Sequence, residues 1–125
     1  MANISNYISY MSDIASTLKS KNCKLFYMSV NPINSVMITK AGKGARTEAQ
    51  VREFNSKIRS GLSLNYKYID TYSVLMKKGY GTNSSYSGTD AASDDGLHYT
   101  TKTFKRIYYY CITYLNTGSI DASIY

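Results

Sequence analysis

The only histidine of the chain, His98, stands three residues after Asp95 in the stretch SDDGLHYTTKTF, Ser93 to Phe104. A carboxylate that accepts the proton of one imidazole nitrogen fixes the tautomer and leaves the other nitrogen to act as a base. Such a base can take a proton from a serine hydroxyl and return it to a leaving group. Asp94 is the near-miss, because its spacing to His98 is four, so Asp95 is preferred as the partner. The same residues also fit a plainer description: a solvated loop histidine among the acids Asp90, Asp94 and Asp95, just before a helix. The serines do not decide between the two. Ser29, Ser73 and Ser93 are candidates by type, but none sits in a strand-to-helix turn that would expose and activate it.

Other residues that could do chemistry are sparse. Cys23 and Cys111 allow one disulfide but no framework and no zinc site, and their hydrophobic surroundings predict buried free thiols. No pattern for a metal or a cofactor is present. The stretch AGKGART puts Lys43 and Arg46 near a helix start, where backbone donors favour anions, but its spacing is not that of a phosphate-binding loop. A loop beside the substrate cleft describes it better. Basic residues outnumber acidic ones 15 to eight, for a formal charge of +7. They are scattered without a run of five, so no polybasic tail for nucleic acid or membrane is expected. No stretch approaches the roughly 20 apolar residues of a membrane span. Met1-Ala2-Asn3 runs straight into a helix pattern with no signal peptide. A chain that truly begins at Met1 would be cytoplasmic, and one that has lost an N-terminal segment could be exported.

The elements that would position Asp95 and His98 follow from periodicity. At 125 residues, with 43% apolar and 18% charged, the chain is one globular domain at most. Ile4, Tyr7, Ile8, Met11, Ile14, Ala15 and Leu18 have helical spacing, with Asn3 or Ser5 as cap. LFYMSV, Leu25 to Val30, is a short apolar run that predicts a strand covered on both faces and stopped at Asn31-Pro32. After a polar loop with Gly42 and Gly44, Thr47-Glu48-Ala49-Gln50 has the form of a capping box. It opens a helix with Val51, Phe54, Ile58 and Leu62 inward. YKYIDTYS, Tyr66 to Ser73, predicts a second strand running into a helical turn through Met76. A Gly/Ser/Thr loop from Gly79 to Ser93 is long enough to be functional. The last helix, capped by Thr100 or Thr101, carries the stripe Phe104, Ile107, Tyr108, Cys111 and Leu115, with Tyr109 turned away from it. The domain is read as residues 1–116, and 117–125 as a tail without period.

Helices alternating with buried strands imply an α/β layer with a parallel sheet, and ligands gather beyond the carboxyl ends of such strands. Two strands leave edges open on both sides, so the chain reads as part of a domain. In order and spacing, LFYMSVNPIN, VREFNSKIRSGL, YKYIDTYSVL and DDGLHYTTKTFKRIYYYCITYL resemble the C-terminal half of the SGNH (GDSL-type) hydrolases, a family of serine esterases and acyl hydrolases. The resemblance covers about Ile4 to Leu115. Its most specific element is Asp95-Gly96-Leu97-His98-Tyr99-Thr100, which is similar to the family's last block, and VNPI and the FN of the middle helix add to it.

That resemblance implies a partial three-layer α/β/α sandwich, flavodoxin-like with a parallel sheet of about five strands in the complete family fold. It also implies His98 as general base and Asp95 as its orienter. The family's Gly-Asp-Ser block and its Gly-x-Asn-Asp block are both missing from these residues. Loss of a triad nucleophile costs on the order of a millionfold in turnover, so this chain alone is expected to be inactive. The function the resemblance implies is thus a portion of a serine hydrolase for short acyl or acetyl esters, with esters on carbohydrate among the candidate substrates. Its partners would be the ester substrate, once the missing half is supplied, and other copies through open sheet edges. The alternatives are a non-catalytic split product that binds a partner, and a small basic nucleic-acid module.

Overall fold

Two short strands and five helices make up the mixed α/β fold of the computed structural model, which describes residues 3–62, 66–81 and 95–123. In chain order they are α1 (Ile4–Lys19), β1 (Phe26–Met28), α2 (Ser35–Lys40), α3 (Glu48–Gly61), β2 (Lys67–Ile69), α4 (Thr71–Lys77) and α5 (Thr101–Thr117). β1 and β2 pair in parallel, with Phe26 opposite Lys67 and Met28 opposite Ile69. A parallel pair needs a crossover, and α2 and α3 supply it.

Alternation along β1 sends successive side chains to opposite faces. Tyr27 and Tyr68 pack into a cluster with Ile4, Ile8 and Met11 of α1 and with Phe54, Ile58 and Leu62 of α3 and its end. Phe26 and Met28 point the other way and meet α5: the Phe26 and Tyr114 rings lie 6.2 Å apart, and Cys111 Sγ is 3.6 Å from Met28 Sδ. A second core joins Leu75, Tyr80, Tyr99, Ile107 and Tyr110. Full burial of Ile58 or Leu75 stabilises the fold by roughly 1.5–3 kcal/mol each.

Several expectations hold at the level of elements. The Thr47/Gln50 capping box forms reciprocally, and Ile58 and Leu62 are buried as the α3 stripe requires. Thr100 caps α5, its hydroxyl accepting from the Thr103 amide. At α1, however, Asn3 occupies the cap position without a side-chain bond.

Other expectations are corrected. The strand from LFYMSV is only three residues, and Phe26, Met28 and Val30 are exposed, because no neighbouring strand lies beyond β1 among the described residues. The presumed loop after Pro32 contains α2, whose cap Asn34 accepts from the Met37 amide at 3.1 Å. On α5 the buried face is Thr103, Ile107 and Tyr110, while Phe104, Tyr108 and Leu115 are exposed and Tyr109 packs against the core. Cys23 is exposed and Cys111 half-buried, and both thiols are free. Beyond α5, Ile120 and Ala122 pack on the second core, and Lys78 Nζ donates to the Ala122 carbonyl at 2.9 Å.

Candidate active site

Asp95 and His98 are brought together by the loop that leads into α5. Asp95 Oδ1 accepts from the backbone amides of Leu97 at 2.8 Å and His98 at 2.9 Å. His98 Nδ1 lies 2.5 Å from Asp95 Oδ2. An ionised carboxylate only accepts, so the proton of the neutral ring belongs on Nδ1 and the lone pair on Nε2. The amide of His98, then that of Leu97, then the imidazole hold the Asp95 carboxyl well below the usual carboxylate range. The His98 side chain is 74% exposed, while that of Asp95 is 21% exposed. This is a base with a fixed tautomer and an open outer nitrogen.

The loop is fastened to the end of β1. Gly96 O accepts from the Asn34 amide at 3.0 Å, and the Tyr99 hydroxyl donates to the carbonyl of Pro32. Burial pushes the Tyr99 hydroxyl pKa up, keeping it protonated as the donor this contact needs. Gly96 has φ +72° and sits so close to the α2 start that a Cβ would lie 2.5 Å from Asn34 O and 2.9 Å from Ile38 N. Only glycine combines that backbone with that approach. The Tyr99 ring meets those of Tyr80 at 5.9 Å and Phe104 at 6.1 Å, both edge to face, so the residue after His98 is anchored in the core.

The same platform is braced from beneath. Val30 N donates to Asn55 Oδ1 at 2.9 Å and Asn55 Nδ2 donates to Val30 O at 2.8 Å, so one α3 side chain satisfies both backbone groups. Ser29, almost wholly buried, accepts from the Tyr72 amide at 2.8 Å and shares a hydrogen bond with Thr71 at 3.1 Å. Thr71 also donates to Asn31 Oδ1 at 2.6 Å. The carboxyl end of β1 and the start of α4 are thereby tied together. Next to them Tyr72 donates to Glu48 Oε1 at 3.0 Å, and burial followed by that carboxylate pushes the tyrosine up to about 12.

The remaining candidates from the sequence have other employment. Ser29 is a buried link, and Ser73 helps cap α4, donating to Asp70 Oδ2 at 2.8 Å. Ser93 and Asp94 lie outside the described residues, as does most of the Gly79–Ser93 stretch. At AGKGART the Thr47 hydroxyl accepts one of the amides that an anion would need. Arg46 and Thr47 instead line a shallow groove against Ser35, Val36, Thr39 and Lys40 of α2. No group of three potential metal ligands occurs among the described residues, and no helix there is long and apolar enough to cross a membrane.

No protein-family model, curated protein or solved structure matches the chain. Sequence reasoning gave no role to the supports Gly96, Tyr99 and Asn55, although each stands in a stretch that carries the resemblance, and it missed Asn34. Asn34 before Ser35-Val36-Met37 carried a readable cap signal. Asn55 carried none of its own, because a helix interior gives no reason to expect an amide that serves a strand.

Proposed function

We propose that the chain is the base-bearing C-terminal portion of an SGNH-type serine hydrolase acting on short acyl or acetyl esters, with the helix layers on either side of β1 and β2 belonging to that family's α/β/α sandwich. The observation that carries this is the Asp95–His98 pair: Nδ1 held at 2.5 Å by a carboxylate fixed by two amides, Nε2 turned to solvent, and the whole loop seated at the carboxyl end of a parallel strand. Its place agrees with where open α/β sheets bind ligands.

In the proposed reaction His98 Nε2 takes the proton of a serine hydroxyl as the oxygen attacks the ester carbonyl. The imidazolium that forms is stabilised by Asp95, which stays ionised. The proton then passes to the leaving alkoxide, and a water activated in the same way releases the acid. The family's Gly-Asp-Ser and Gly-x-Asn-Asp blocks do not occur in this sequence, so in this reading the serine and the oxyanion donors are supplied by a further segment.

The test extends the chain in frame through the segment encoded upstream of Met1 and treats it with a fluorophosphonate probe. Labelling is expected at a serine of the added segment, and His98→Ala should slow it by roughly a thousandfold or more. An extended protein that labels equally well after His98→Ala overturns the reading. So does labelling of the 125-residue chain by itself.

The non-catalytic alternative has one observation in its favour, the apolar surface exposed on β1 and α5. It requires that an extended protein bind its partner and never acquire a reactive serine.

A further inference from the structure

The His98 loop sits at the carboxyl end of β1. At the other end of the sheet, the starts of both strands border a hollow of about 810 Å³, within the size range of small-molecule sites. Its charge is one-sided. Lys24 stands just before β1, Lys67 begins β2, Lys19 closes α1 and Arg59 comes from the last turn of α3. No carboxylate occurs among the described residues that line it.

Two effects reduce that charge. Arg59 is partly engaged, since its guanidinium lies 3.3 Å from Asp70 Oδ2 and 5.1 Å from the centre of the Tyr68 ring. The ends of α1 and α5 also reach the hollow, and a helix C-terminus carries about half a negative charge. Lys19 offsets the end of its own helix, which sets Lys24 and Lys67 against the half charge of α5. The hollow stays positive. A single exposed ion pair adds little, so a ligand held here needs several charges close together. Three ammonium groups to one guanidinium suit phosphoryl oxygens, which lysine meets as a point charge, whereas a carboxylate favours the arginine fork.

The rest of the lining is largely aromatic. Phe26 and Tyr114 meet edge to face at 6.2 Å, and Tyr68 carries the Arg59 guanidinium over its ring. Aromatic faces and guanidinium planes are both surfaces on which a nucleobase stacks. We propose that this hollow binds a mononucleotide-class ligand. Its phosphates lie on Lys24 and Lys67, with Lys19 beside them, and its base lies against Phe26, Tyr114 and the Arg59–Tyr68 pair. The site is separate from His98 and stands whether or not the hydrolase reading holds.

Cys23, exposed and free, lines the same hollow and serves as a native reporter. The chain is mixed with ATP, tripolyphosphate or adenosine at low salt without magnesium, and binding is followed by calorimetry and by maleimide labelling. With ATP at about ten times its Kd, labelling of Cys23 should slow by about 10-fold, as occupancy dictates, while Cys111 reacts as before. Tripolyphosphate should bind ~10-fold more weakly for lack of a base, and adenosine more weakly still. Lys24→Glu and Lys67→Glu, both at exposed positions, should each weaken ATP by about 5–10-fold, as an attraction becomes a repulsion. Lys43→Glu and Lys105→Glu make the same change of charge away from the hollow and should leave the affinity unaltered. Equal losses in all four variants would reduce the binding to an effect of the +7 net charge and overturn the site. Tripolyphosphate binding as tightly as ATP, Cys23 labelling indifferent to ATP, or no ATP binding at all overturns it too.

Discussion

The loop from Asp95 to Tyr99 and the free side of β1 are joined through the same short turn, yet they handle their surroundings in opposite ways. In the loop the Asp95 carboxylate, the Gly96 carbonyl and the Tyr99 hydroxyl are each engaged within the chain. Along β1 and α5, backbone groups face outward and five large apolar side chains remain a third to two-thirds exposed. One region is organised around contacts this chain can make by itself. The other leaves apolar groups uncovered among the described residues. Local polar geometry needs only a few neighbouring residues, whereas burial of a strand edge needs a layer on each side of it.

Substitutions should separate the two regions by size of effect. Gly96→Ala forces both a left-handed backbone and a clash with Asn34 O, and should cost about 2–4 kcal/mol in urea denaturation. Asn55→Ala leaves the amide and carbonyl of Val30 unsatisfied and should cost about 1–3 kcal/mol by the same measurement. Tyr99→Phe removes one hydrogen bond while keeping the ring, for a loss of about 1 kcal/mol. Tyr108→Ser, at 68% exposure, should stay within about 0.5 kcal/mol of the parent and make the chain more soluble. A Tyr108→Ser variant as damaged as Gly96→Ala would erase the distinction.

Acid offers a finer probe of the loop. Because the Asp95 carboxyl is held below its ordinary value of about 3.9, its stabilising effect is complete above that pH. The effect fades as pH falls from there to the lower, folded-state value, below which it is gone. The chain has one histidine, so proton NMR gives one Nδ1–H resonance to follow. It should sit far downfield and persist at pH 4, and Asp95→Asn should abolish it.

Much of this was legible in the residues. The Thr47–Gln50 box, the Ile58/Leu62 stripe, the Thr100 cap and the Asp95/His98 spacing are local patterns, set by neighbours within four positions. The misplacements on β1 and α5 are those that depend on which layers cover an element. Apolar spacing on α5 marks Phe104, Tyr108 and Leu115 as inward residues, and LFYMSV as a fully covered strand, because spacing reports the face a helix or strand is meant to bury. It does not report whether the covering layer is present. The short α2 escaped for a different reason, since six residues give too little period to separate a helix from a polar loop.

Asn55 has a consequence beyond bracing the platform. By the alternation of the ladder, the Val30 amide and carbonyl that it grips point the same way as those of Phe26 and Met28. Its side-chain amide therefore imitates one rung of an absent strand and occupies the last place on that side. The Val30 end of the strand is thus finished by a side chain of the same chain, whatever comes to cover Phe26 and Met28.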